Sequence, residues 1–244
     1  MSPVKASLTA RERARAELTR EIKEEARRQL AISGADGLSL RAVARELGMV
    51  SSALYRYYPS RDDLLTALII DAYNAVGSAV EAAIGPPGAA DARGRWMAAC
   101  RSARSWALDH PHEYALIYGS PVPGYRAPSE TVGPASRVAL AFVAVLRDAV
   151  AAGEIAAAPP APDASAPDAL AGPLTAQAAT LAAAISPQED PAVPPDMLVR
   201  AVIAWTQLFG MISFELFGQF VGSFEPADAL FEHAIAQMAS FVGL

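Results

Sequence analysis

The sequence predicts an all-α chain, and three observations carry that prediction. Apolar residues recur at helical spacing through most of the 244 positions, no segment alternates convincingly with period two, and the breaks fall at glycine and proline clusters. Composition agrees: the hydrophobic fraction is 52% while aromatics are only 7%, so much of the apolar content is alanine, a strong helix former that buries little area per residue.

The elements follow in order. Thr9-Ala-Arg-Glu12 is a capping box, and Leu18, Ile22, Ala26 and Leu30 then line one face until Gly34-Ala-Asp-Gly37 stops the helix. Ser39 caps a second helix with Leu40, Val43, Ala44 and Leu47 inside, and Gly48 supplies a turn. A third, short helix is expected from about Ser51 to Tyr57. Ser60-Arg-Asp-Asp63 opens a long helix to about Ile84, which Gly85-Pro-Pro-Gly88 ends. Further helices are expected at roughly 91–109, 112–118, 134–152, 173–185, 196–222 and 227–242. The Ala/Pro/Asp-rich stretch 156–172 reads as a surface loop, and prolines 187, 191, 194 and 195 mark a second connection. The expected division is a small head, residues 1–60, and a larger body, residues 61–244, with 61–84 as the linking helix.

Charge separates the same two parts. The net charge is −6, but residues 1–60 carry 11 Lys and Arg against 7 Asp and Glu, a balance of +4, whereas the remainder carries 9 against 19, a balance of −10. A basic head on an acidic body fits a protein that touches phosphate at one end. Several chemistries find no support. The single cysteine, Cys100, forms no disulfide framework, and with only His110, His112 and His233 no metal site is expected. No nucleophile elbow, phosphate loop or HExxH motif appears, so neither enzyme activity nor a cofactor is expected. The residues after Met1 hold no apolar signal core, and the uncharged run between Arg200 and Glu215 is 14 residues, short of the roughly 18 that cross a bilayer. A cytoplasmic protein without membrane contact is the expectation.

Residues 39–58 carry the most information. Two short helices joined at Gly48, the second presenting small and polar groups, are the layout of a helix-turn-helix that places one helix in a DNA major groove. Ser51, Ser52 and Ala53 are short enough to approach base edges, and Tyr55 and Tyr57 offer hydroxyls on rigid arms. Ser39, Arg41 and Arg61 stand where phosphate contacts are needed, and Arg56 reaches either a phosphate or solvent. Leu54 and Tyr58 fit the inner face. Lys5, Arg11, Arg13 and Arg15 form an amino-terminal arm that contacts DNA or is a solvated basic tail.

The run Ala44, Leu47-Gly48, Leu54-Tyr55, Tyr57-Tyr58, Ser60-Arg61 and Leu64-Leu65 resembles the DNA-binding domain of TetR-family transcriptional regulators. The resemblance implies that Ser52, Ala53, Tyr55 and Tyr57 lie in or against the groove. One departure stands out: relatives commonly place serine or threonine where Val50 sits, so Ser51 is expected to cap the helix one residue later.

Past the first quarter the resemblance is weaker. His110–Tyr118 and Ala204–Gly218 look like the C-terminal type common in actinobacterial members, which implies a body that binds a small molecule and dimerises. The ligand candidates are Trp96, Met97, Cys100, Tyr114, Tyr118, Phe142, Leu146, Trp205 and Phe209, with Arg101 and Arg104 as anchors for an anionic group. The dimer candidates are Phe214, Phe217, Phe220 and Val221 with Phe231, Ile235, Met238 and Phe241, and Gly210, Gly218 and Gly222 would allow close helix approach. Together these imply a homodimeric repressor on palindromic double-stranded DNA, released by a hydrophobic or amphipathic ligand. The alternative is a constitutive or architectural DNA binder without an effector.

Overall fold

In the computed structural model, which describes residues 9–88, 90–155, 173–185 and 193–244, ten α-helices and one 3-10 turn make up the regular structure, with no strand among the described residues. Lys5, the loop 156–172, Pro187 and Pro191 lie outside the described residues. The chain forms two compact units, residues 1–72 with 112–132 and residues 73–111 with 133–244. The division between these units falls inside the long fourth helix and just after Pro111.

The first unit begins with α1 (Ala10–Ser33), whose capping box forms: Glu12 N–H donates to Thr9 Oγ1 at 3.2 Å and Thr9 N–H to Glu12 Oε2 at 2.7 Å. Gly34 ends it at φ 66°, a conformation that costs glycine nothing. α2 (Leu40–Glu46) and α3 (Ser51–Leu54) follow, each packed against the element before it. α4 (Arg61–Ile84) opens where Ser60 Oγ accepts from Asp63 N–H at 3.1 Å. The core is Ile22, Ala26, Leu30, Leu38, Val43, Leu54, Leu64, Leu65 and Leu68, all buried. An ion network ties the helices: Lys23 and Arg27 both meet Asp71, and Arg27 also meets Glu113 at 2.7 Å. Nearly all of α6 (Pro111–Tyr118) belongs here, as does Tyr125, whose hydroxyl lies 2.8 Å from the buried Thr66.

The second unit holds α5 (Ala92–Asp109), α7 (Val132–Ala152), α8 (Pro173–Ile185), α9 (Pro195–Leu216) and α10 (Asp228–Phe241) with the later half of α4. α5 packs on α9 and α10, and α9 also on α8. Trp96, Val145, Leu146, Leu208, Ile212, Phe231 and Ile235 are buried together with the tightly packed Ala99, Cys100 and Ala103. α7 presses close to α4 at Gly77, where an added Cβ would stand 2.9 Å from that of Arg137. Arg137 then reaches Asn74, Ser78 and Glu81 along α4.

Two expected helices end early. The third stops at Leu54, and three-residue turns carry the chain through Tyr57 because Pro59 disfavours helix at Tyr58. The ninth stops at Leu216, not 222: Gly218 and Gly222 adopt φ 77°, so they turn the chain instead of admitting a neighbouring helix. Two helices, Arg61–Ile84 and Pro195–Leu216, are long and apolar enough to cross a membrane by length and composition, a test that core helices of water-soluble proteins also pass.

Candidate nucleic-acid interface and effector pocket

The geometry of the head follows from its caps. Ser39 Oγ accepts from Ala42 N–H at 3.4 Å while Gln29 Oε1 accepts from Ser39 N–H at 3.3 Å, which fixes α2 to α1. Gly48, at φ 64°, reverses the chain, and Met49 N–H closes onto Ala44 O at 2.8 Å. α3 then begins at Ser51 with Val50 in the capping position and no side-chain cap bond. The expectation that Ser51 caps is corrected: Ser51 is already the first helical residue, so its hydroxyl lies past the position from which a cap bond is made.

Leu54 and Tyr58 are buried as expected, and the opposite face carries Val50, Ser52, Tyr55 and Arg56, all exposed, with Ser51, Ala53 and Tyr57 half-buried. Arg41, Arg56, Arg11, Arg13 and Arg15 have no carboxylate partner among the described residues, so this face is flanked by uncompensated positive charge. Arg15 lies over the Tyr57 ring, 5.2 Å from its centroid, and the two share a cleft with Arg11, Met49, Ala53 and Arg56. Sequence spacing alone did not reveal that stack, because it joins residues 42 positions apart. Arg61 is differently engaged. Its Nη2 donates to Ala35 O at 2.7 Å and its Nε to Leu38 O at 3.2 Å, which leaves Nη1, 3.6 Å from Asp62, as the group nearest to being available for phosphate.

In the second unit an apolar cavity of about 290 Å³ opens between α7, α8 and α9. Two ligand candidates, Phe142 and Trp205, line it. The other lining residues are Ser136, Ala139, Leu140, Val143, Leu181, Leu198, Ala201 and Val202; Ala139, Leu140 and Val143 on α7 and Leu198, Ala201, Val202 and Trp205 on α9 recur at helical spacing, the signal that could have found them. Trp96 lies edge-on to Phe142 at 4.7 Å but is 2% exposed, and Cys100 is sealed at 0%, so neither reaches the cavity. Burial pushes the Cys100 thiol well above its ordinary range, which keeps it protonated and unreactive. Leu146 is fully buried, Met97 is half-buried, and Phe209 packs on Trp205 at 5.3 Å. Tyr114 and Tyr118, whose rings are 5.1 Å apart, belong to the first unit.

The proposed anionic anchors are corrected as well. Arg104 places Nε and Nη2 on Glu215 at 2.7 and 2.6 Å and Nη1 on Asp228 at 3.0 Å, and Arg101 forks onto Glu232. Their donors are spent inside the chain, and no charged group lines the cavity.

The dimer candidates separate by burial. Phe214, Phe217, Val221 and Phe224 are 49–70% exposed, an apolar run at the end of α9 and in the turns after it, with the half-buried Phe220 between Phe214 and Phe224. Phe231, Ile235 and Met238 are no more than 2% exposed. They serve the core of their own chain, so as contacts for a partner they are corrected: the inner face of α10 is already covered by α5 and α9.

A three-helix head with an exposed polar face between uncompensated arginines, joined to a larger all-helical unit, is the architecture of a helix-turn-helix DNA-binding regulator. The comparisons with known proteins agree on the family. Residues 22–68 match the model described as bacterial regulatory proteins, tetR family, and residues 96–238 match the tetracyclin repressor-like C-terminal domain. The HTH-type transcriptional regulator Rv1816 of Mycobacterium tuberculosis is 40% identical over 210 residues, spanning 85% of this chain and 84% of that one, and the regulator Mb1846 of Mycobacterium bovis matches equally. The solved structure of SCO4313, described as a regulatory protein, superposes with a TM-score of 0.72 at 38% identity over 94% of this chain and 98% of the other. A protein of unknown function from Rhodococcus sp. RHA1 shares the fold with a TM-score of 0.67 at 23% identity, with all of both chains covered. The chain belongs to the TetR family; it is a DNA-binding transcriptional regulator and not an enzyme.

Proposed function

We propose that the chain is a homodimeric, cytoplasmic repressor that leaves a palindromic operator when an uncharged hydrophobic molecule enters the cavity between α7, α8 and α9. The observation that carries this reading is the use of α9. Its first half supplies Leu198, Ala201, Val202 and Trp205 to the cavity, and its end supplies Phe214, with Phe217 and Val221 just beyond, to an exposed apolar surface. Apolar surface of that kind on a regulator favours a second copy, which also gives the paired heads that half-sites one DNA turn apart require. Ser39, Arg41, Ser51, Ser52, Ala53, Tyr55, Arg56 and Tyr57 are the proposed DNA contacts, with Arg61 holding the head together. Because α4 contributes residues to both units, a ligand that favours one placement of that helix over another shifts the population of DNA-competent heads.

The test is Nile red, a neutral hydrophobic fluorophore, titrated into the native chain and into Ala139→Phe, whose added ring fills the cavity. The expected result is saturable fluorescence with the native chain only, with DNA affinity retained by the variant. Equal fluorescence from both chains overturns the pocket assignment.

A further inference from the structure

We infer that Val50 is a specificity-determining residue of this regulator and that its methyl groups meet the 5-methyl of one thymine in each half-site. Val50 precedes α3, at φ −72° and ψ 137°, in the position from which a side-chain oxygen would cap the helix. Valine offers no acceptor, and the helix has no side-chain cap. Losing a serine or threonine cap destabilises a helix. Val50 also contributes little to packing: the residue is 70% exposed, the most exposed large apolar residue of the helix-turn-helix. Val50 therefore stands exposed beside Ser52, with its methyl groups free to contact what the helix meets.

The major groove gives an exposed branched apolar group one complementary partner among the bases, the thymine methyl. A hydroxyl at this position would be held by the helix amides and turned towards a phosphate, so valine exchanges a backbone contact for a base contact. The neighbouring exposed side chains are Ser52, Tyr55 and Arg56, so the apolar reader stands at the edge of a polar face and not within an apolar patch. This inference rests on α3 being the groove-facing helix.

The probe is the duplex that the native chain selects from a random-sequence pool, with each thymine replaced in turn by deoxyuridine, which removes only the methyl. Binding is read by fluorescence anisotropy at fixed salt. In each half-site one replacement is expected to weaken native binding about 3- to 10-fold. Val50→Ser is expected to be indifferent to that replacement, and its Tm to rise as the new hydroxyl caps α3. Val50→Ala, which adds no cap, should lose the same sensitivity without the gain in Tm. Native binding indifferent to every thymine methyl overturns the inference, as does a methyl effect that persists unchanged in both variants. If Ser52→Ala and Tyr55→Ala also leave binding unchanged, the placement of α3 in the groove fails with it; if they weaken binding, only the role of Val50 fails.

Discussion

Replacing Arg61 with alanine separates two roles for a cation at the start of α4. The guanidinium holds the carbonyls of Ala35 and Leu38, at 2.7 and 3.2 Å, and so ties the loop after α1 to α4. A hydrogen bond from a charged donor is worth about 1.5–3 kcal/mol, and here the side chain is 30% exposed, so water recovers part of the loss. The contact with Asp62, itself 56% exposed, adds little. The net loss is roughly 2 kcal/mol, which for a chain of this length lowers Tm by about 4–8 °C. Thermal unfolding followed by circular dichroism measures it, and Arg61→Lys should lose nearly as much, because a single ammonium cannot span both carbonyls. The slope of log affinity against log salt should stay near the native value. An unchanged Tm together with a slope flatter by about 0.9 would refute the clamp and make Arg61 a phosphate ligand.

Other perturbations act elsewhere. The hydrogen bond from Arg137 holds the Glu81 carboxyl below its ordinary range, and that from Arg101 does the same for Glu232. Both folded-state values are depressed, so their stabilisation is present above the unfolded value, about 4.3, and is lost as pH falls through the folded one. Denaturant titrations from pH 6 downwards should show that fall, shallower in Glu81→Gln than in the native chain; identical slopes would sink the linkage. Cys100 should resist iodoacetamide at pH 8 until the chain unfolds, since the thiol is 0% exposed and kept protonated, and labelling of the folded chain as fast as the unfolded one would contradict its burial. Phe214→Glu with Val221→Glu should sediment as a monomer with native helicity, and a dimer that survives both changes would move the interface away from this surface.

Most of the fold was legible because its boundaries are written in local chemistry. Thr9 with Glu12, Ser39, Ser60 with Asp63, and Gly34 and Gly48 each set an element end by contacts within a few residues. The end of α9 was not legible, because a glycine such as Gly218 reads equally as a close-approach residue or a left-handed turn until its φ is known. That Ser52, Tyr55 and Arg56 stand exposed in and after α3 while Leu54 and Tyr58 turn inward could be read for the same local reason. Which of the ligand and dimer candidates stay exposed could not be read: Phe231 and Phe217 are the same side chain at similar spacing, and only packing by α5 and α9 decides that one is 2% and the other 49% exposed. Arg104 looked available for an anion because Glu215, its partner, is 111 positions away.

The central claim is that the exposed face of α3 reads a defined sequence. The measurement that tests it most directly is an anisotropy titration of the native chain, Ser52→Asp and Tyr55→Ala against a selected duplex, with scrambled competitor at fixed salt. The expected result is saturable native binding about 10³-fold or more tighter than to the competitor, with most of that preference lost in both variants. Equal affinity for both duplexes, or a preference that the two variants retain in full, would contradict it.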